Sequence, residues 1–89
     1  MFERKLDGFI FKAPSKRQFK KYDSYDSDGK YITSFGDNRY EQYHDKIGYY
    51  RDKDHGDLQR RENYRTRHKH DIIDRNRPTA GFFSMNYLW

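Results

Sequence analysis

The sequence predicts a small single-domain α+β fold, and three observations predict it. The 89 residues suffice for one domain, an Asp-Gly pair separates two runs of aromatic, β-branched and polar residues, and two later stretches carry helix-start residues. A domain this small buries only about 60% of the surface its unfolded chain exposes, so marginal stability is expected. Three Leu, five Ile and seven Phe, with no Val, make 15 of 89 residues. That share, about 17%, lies below the ~20% at which charged chains tend to disorder, and the mean hydropathy of −1.46 agrees. Nine Tyr, seven Phe and one Trp offset the deficit, since each ring can bury on the order of 150–250 Å². A thin aromatic core with polar, weakly held ends follows. Without Cys there is neither a disulfide nor a cysteine-bound zinc, which leaves a partner or an oligomer as the expected staple.

Taken in order, residues 1–18 are expected to form an N-terminal extended arm or edge strand, with residues 19–89 as the α+β domain. Gly8-Phe9-Ile10-Phe11-Lys12 is a short apolar run closed by Ala13-Pro14-Ser15, and its rings either lie on a neighbour or close the chain's own core. A β-hairpin is expected over about 19–36, from Phe19 to Tyr25 and Lys30 to Gly36 around Asp26-Ser27-Asp28-Gly29. There Asp28-Gly29 suits a type I′ turn, which needs positive φ at both central residues. Asn38 with Glu41 resembles a capping box for a helix over about 38–47, carrying Tyr40, Tyr43 and Ile47 on one face before Gly48. A second helix is expected over about 57–70, capped by Asp54 or Asp57. Leu58 is the only aliphatic residue between Gly48 and Ile72, so this helix is polar nearly all round and must lean on partners, ion pairs or solvent. After a loop from Asp74 to Gly81, Phe83, Met85, Tyr87 and Trp89 alternate as one face of a short C-terminal strand or extended segment. A segment closing on Leu88-Trp89 is expected to be docked, on its own core or on another molecule.

The net charge of +5 is uneven. Residues 1–22 carry seven basic and two acidic side chains, residues 23–56 five and eight, and residues 57–77 seven and four. Cations alternate with rings at Lys16, Arg17, Lys20 and Lys21 around Phe19 and Tyr22, and at Arg60, Arg61, Arg65, Arg67, His68 and Lys69 around Tyr64. Phosphate neutralisation and ring stacking make both patterns suited to nucleic acid. An acidic protein partner or a plain solvated surface fits the same letters. The aromatic ends, Phe9 and Phe11 with Phe82, Phe83, Tyr87, Leu88 and Trp89, are candidate anchors in an assembly or homo-oligomer.

Catalysis has little support. There is no nucleophile motif, phosphate-cradling glycine loop or dinucleotide fingerprint. Ser24, Asp26, Asp28 and Gly29 imitate the start of a calcium loop, but Phe35 stands where the bidentate Glu belongs, so the turn is preferred. Asp54-His55, Asn63 and His68 or His70 align by letter with ββα-metal nucleases, yet only seven residues separate His55 from Asn63. His68 and His70 are spaced i, i+2 and point to different helix faces, so they add conditional charge rather than a zinc site. The expectation is a non-enzymatic protein with no cofactor, metal or small-molecule substrate. No apolar run approaches the length of a membrane span, and Glu3, Arg4, Lys5 and Asp7 break any signal-peptide pattern. A soluble, non-secreted protein is expected.

Four blocks in succession carry a family resemblance: Gly29-Lys30-Tyr31-Ile32-Thr33-Ser34-Phe35-Gly36-Asp37; Arg39-Tyr40 to Asp45-Lys46-Ile47-Gly48; Arg60-Arg61-Glu62-Asn63-Tyr64-Arg65 with Arg67-His68; and Ala80-Gly81-Phe82-Phe83-Ser84 with Tyr87-Leu88-Trp89. Over roughly residues 12–89 the chain resembles small basic proteins encoded by large DNA viruses of algae and protists (phycodnavirus- and mimivirus-like) and by some marine phages, a family with no assigned activity. The resemblance implies a viral setting, in the virion or in the host cell's cytoplasm or nucleus, and transfers no functional residue. It favours a virion component, such as a minor capsid or cement protein. The alternative is a small nucleic-acid-binding protein that contacts phosphates through the helix at 60–69.

Overall fold

Asp7 and Gly8 take φ of 56° and 83°, the pair of positive values that a type I′ turn demands. They join β1 (Phe2–Leu6) to β2 (Phe9–Ala13). β2 pairs in turn with β3 (Lys20–Tyr25) and β3 with β4 (Tyr31–Asp37), giving an antiparallel sheet in the order β1-β2-β3-β4. Of the arm or edge strand expected over 1–18, β1 lies at the edge of the sheet, while β2 lies between β1 and β3. The computed structural model describes residues 1–72 and 76–89, and with two α-helices joined to this sheet the fold is a single α+β domain.

The hairpin expected over 19–36 is present, with Tyr22 opposite Phe35 and Tyr25 opposite Tyr31. Its turn is not type I′, since within it only Gly29 has a positive φ, 86°. The Asp26 carboxylate accepts from the main-chain N–H groups of Asp28 and Lys30, each at 2.9 Å, while Gly29 N–H donates to the Asp26 carbonyl at 3.0 Å. The side chain of Asp26 thus builds a longer turn and spares Asp28 the left-handed conformation.

Phe9, Phe11 and Ala13 of β2, Tyr22 of β3 and Phe35 of β4 form one buried face. Phe11, fully buried, meets Phe35 at 5.8 Å, Phe83 at 5.7 Å and Tyr87 at 4.9 Å between ring centroids, within the range of favourable aromatic pairs. Phe82, Phe83 and Tyr87 come from α2 (Ala80–Tyr87). The strand expected at 82–89 is therefore a helix. The Thr79 side chain caps it, accepting from Phe82 N–H at 3.2 Å, and Phe82, Phe83, Met85 and Tyr87 are all buried. Ser84 and Asn86 alternate with Phe83, Met85 and Tyr87, which imitates a strand, and a run this short does not separate that alternation from a helix by its letters.

No helix forms over 38–47. The Asp37 carboxylate accepts from Arg39 N–H at 3.0 Å, and Tyr40 N–H bonds the Asp37 carbonyl at 3.1 Å, which turns the chain. Beyond it Gln42 makes an isolated parallel bridge with Asp54, and a 3₁₀ turn covers Arg51–Lys53. The reason lies in two fully buried polar side chains, Gln42 and Asp45. Asp45 Oδ1 accepts from Ile47 N–H at 2.9 Å and Gly48 N–H at 3.0 Å, and Oδ2 accepts from Tyr50 N–H at 2.8 Å and from the Tyr22 hydroxyl. Gln42 Nε2 donates to the Tyr50 carbonyl at 2.7 Å and to Asp54 Oδ1 at 2.6 Å. Main-chain groups that a helix would pair along its axis are instead satisfied by these side chains. Ile47 and Tyr50 then enter the core, and His44 and Lys46 N–H bond the carbonyls of Leu88 and Tyr87 at 3.0 and 2.9 Å.

The second expected helix is α1 (Leu58–Arg67), capped by Asp57, which accepts from Gln59 and Arg60 N–H at 2.9 and 3.2 Å. It stops short of residue 70, and a 3₁₀ turn follows at Lys69–Ile72. None of its residues is buried. Polar bonds fasten it: Arg61 Nε donates to the Trp89 carbonyl at 2.7 Å and Arg65 Nη1 to the Met85 carbonyl at 3.2 Å. The Tyr64 and Trp89 rings stack at 4.2 Å and 7°. Of the loop expected from Asp74 to Gly81, Asp74 and Arg75 lie outside the described residues.

Tyr22→Phe should reveal how much the Asp45 centre contributes. It strips Asp45 of its hydroxyl donor and Tyr49 N–H of its acceptor, 3.0 Å away. The expected loss is about 1–3 kcal/mol, read as a thermal midpoint lower by roughly 4–8 °C per kcal/mol. A shift of under about 2 °C would show the centre to be dispensable.

Candidate nucleic-acid interface

α2 and the 38–56 segment cover one face of the sheet. On the other, Lys12 of β2 stands opposite Asp23 of β3, which stands opposite Ser34 of β4. Asp23 is buried because the β2–β3 connection folds over it. Its carboxylate accepts from the Ser15 hydroxyl, from the Ser34 hydroxyl at 2.6 Å and from Lys16 N–H at 2.9 Å. Burial disfavours its charge, but these donors outweigh burial and hold the carboxyl below its usual range.

That folded-back connection sets Lys16 and Arg17 beside Tyr25, Tyr31 and Ser34 around an open groove of about 520 Å³. Tyr25 and Tyr31 are cross-strand partners whose rings meet edge to face at 5.8 Å. Tyr31, with its hydroxyl 2.8 Å from Ser34 Oγ, remains 47% exposed. Lys12 Nζ lies 4.8 Å over the Tyr25 ring. Phe19, at the end of the same connection, is exposed under the Arg39 guanidinium at 4.3 Å. Arg39 forks onto Asp37 at 3.0 and 2.7 Å and, with help from its main-chain N–H, holds that carboxyl down to about 2.

The residues expected at a basic surface separate into two groups. Lys16 and Arg17 are exposed at the groove, Lys20 is half-buried, and Arg67 and Lys69 are exposed on and just beyond α1. Lys21 is buried, with Nζ bonded to Gln42 Oε1, and so is no surface contact. Arg61 and Arg65 point at the carbonyls of Trp89 and Met85, Arg60 pairs with Glu41 at 3.2 Å, and Tyr64 lies between His68 and Trp89 at 4.3 and 4.2 Å. The basic helix therefore spends much of its charge holding itself to the domain. Of the candidate assembly anchors, Phe9, Phe11, Phe82, Phe83, Tyr87 and Leu88 are core residues, and Trp89 is half-buried on Tyr64. The aromatic ends close the chain's own core, which removes the need for a neighbour to cover them.

Lys12, Tyr25 and Tyr31 were missed as site residues. The hairpin expectation already placed the two tyrosines on either side of its turn, but nothing in the letters shows that residues 15–17 fold back onto them. Among the described residues no group of three or more His, Cys, Asp or Glu side chains could hold a metal ion, and no helix is long and apolar enough to cross a membrane.

Burial pushes the Lys21 amine down to about 8, although Asp45 opposes the shift. A lysine lowered by folding destabilises the folded state most below that value, and the cost is relieved as pH rises from about 8 to about 10.5. Tyr50, pushed up to about 12 by burial, and Tyr22, also raised by burial, act oppositely from about pH 10 upward. Chemical denaturation should therefore give a stability that climbs between pH 8 and 10 and falls beyond. Lys21→Met should flatten the climb, and an identical climb in that variant would assign it elsewhere. Compared with protein-family models, curated proteins and solved structures, the chain matches none.

Proposed function

We propose that the chain binds single-stranded nucleic acid, without catalysis, along the uncovered face of its sheet. One observation carries the proposal: the groove in which Lys16 and Arg17 flank the Tyr25–Tyr31 ring pair. Cations there meet phosphates, and rings stack on bases whatever their sequence. A duplex hides its base faces, so exposed rings favour a single strand. Asp23 lies in the same groove, but its three donors direct its charge inward. The virus resemblance would place such binding in a virion or an infected cell, where a packaged or replicating genome is the ligand. The assembly alternative loses the rings that recommended it, because they lie in the core.

The test is fluorescence anisotropy with labelled oligothymidylate across a salt series. Lys16→Ala with Arg17→Ala should reduce the slope of log K against log salt by about 1.4, from roughly 0.7 per phosphate contact on a single strand. Tyr31→Ala should weaken binding by about 1–3 kcal/mol, the scale of one base–ring stack. Binding insensitive to salt, or unchanged in both the Lys16→Ala/Arg17→Ala and the Tyr31→Ala variants, would reject the proposal.

A further inference from the structure

The two edges of the sheet are unequally covered. Of the seven residues of β4 only Tyr31 is exposed, whereas β1 exposes Glu3, Arg4 and Lys5 in succession. The type I′ turn at Asp7-Gly8 makes Leu6 and Phe9 a hydrogen-bonded pair, and such pairs alternate along an antiparallel ladder. Leu6, Arg4 and Phe2 therefore turn their main-chain groups towards β2, and Lys5 and Glu3 turn theirs outward. Among the described residues nothing pairs with those outward groups. An exposed edge of this kind is a template for another strand.

The side chains select the strand that fits. Phe2 and Leu6 pack against the core, so Glu3 and Lys5 stand on the outer face of the sheet. Antiparallel pairing of two copies of β1 has to match Glu3 and Lys5 with each other or with themselves, which leaves three registers. Centring on Glu3 sets Glu3 against itself, and centring on Lys5 sets Lys5 against itself. Centring on Arg4 sets Glu3 opposite Lys5 on both sides of the axis, and Phe2 opposite Leu6. Opposite charges directly across a strand pair favour pairing and like charges oppose it, so only the register centred on Arg4 is self-complementary.

The two Arg4 residues also face each other in that register. Each is drawn into its own domain, because Arg4 Nη1 donates to the Ile47 carbonyl at 2.9 Å and to the Lys46 carbonyl at 3.3 Å. The Glu3 ion pair with Lys12, at 3.7 Å between partly exposed side chains, rearranges at little cost. We propose that two copies of this chain pair through β1 about a two-fold axis at Arg4, joining their sheets into one. Phe2 and Leu6 then meet their counterparts across the axis. That axis stands perpendicular to the sheet, so the outer faces of both copies lie on the same side. Only the use of this doubled face by one nucleic-acid strand rests on the reading of the groove, and the pairing itself does not. A five-residue strand offers a small interface, so the dimer is weak and depends on concentration.

Sedimentation equilibrium without nucleic acid tests the pairing. The average mass should rise from 11.0 kDa towards twice that value between about 10 μM and about 1 mM. Glu3→Lys and Lys5→Glu, each at an exposed position, set like charges across the axis and should each weaken dimerisation about tenfold or more, with circular dichroism unchanged. An equal mixture of the two variants should dimerise again, because each lysine then faces a glutamate. The amides of Glu3 and Lys5 should also exchange more slowly as concentration rises. A mass of 11.0 kDa up to about 1 mM, dimerisation undiminished in either variant, a mixture no better than its components, or a dimer without protection of those two amides would overturn the proposal.

Discussion

The buried carboxylate of Asp45 is the interaction on which the rest of the structure depends. Four donors converge on it, the main-chain N–H groups of Ile47, Gly48 and Tyr50 and the hydroxyl of Tyr22. Burying a carboxylate is costly unless its lone pairs are filled, and here they are filled by the chain it organises. Because Tyr22 belongs to β3, the same group that folds the 45–50 loop also fastens that loop to the sheet. Gln42 extends the arrangement to Lys21, Tyr50 and Asp54. A chain poor in aliphatic residues thereby closes its core with an irregular segment, pinned by polar groups and filled by Ile47 and Tyr50.

The two faces of the sheet divide the remaining roles. One is committed to rings: Phe11 meets partners from the sheet and from α2, and the aromatic C-terminal helix needs no neighbour to cover it. The other stays open and carries cations beside Tyr25 and Tyr31. α1 is neither core nor free surface. Its arginines reach the carbonyls of Met85 and Trp89, where positive charge suits the end of α2, and its tyrosine joins a stack of rings.

Local signals were legible where the chemistry is local. Asp57 as a helix cap and the strands on either side of Asp26–Gly29 could be read from the letters, because a cap or a turn involves only neighbours in the chain. The Asp7-Gly8 pair carried the same signal as Asp28-Gly29 and was the one that formed the type I′ turn. What could not be read depends on distant partners. Asn38 and Glu41 imitate a capping box, but the fate of 38–47 is decided by Tyr22 and Lys21, some twenty residues away. Between Phe82 and Leu88 the polar Ser84 and Asn86 fall at alternate positions and imitate a strand, although Ser84 is buried in the helix. At the site, Lys16 and Arg17 were visible as cations, whereas the partnership with Tyr25 and Tyr31 arises only when Asp23 draws Ser15 and Lys16 onto the sheet.

The most direct measurement of the central claim is native-state amide hydrogen exchange. If Asp45 locks the loop into the core, the amides of Ile47, Gly48 and Tyr50 should exchange only through global unfolding, with the same opening free energy as Phe11 and Phe35. Exchange of those three amides by local opening, several kcal/mol cheaper than the strands, would contradict it and leave the loop a surface feature laid over an independently stable sheet.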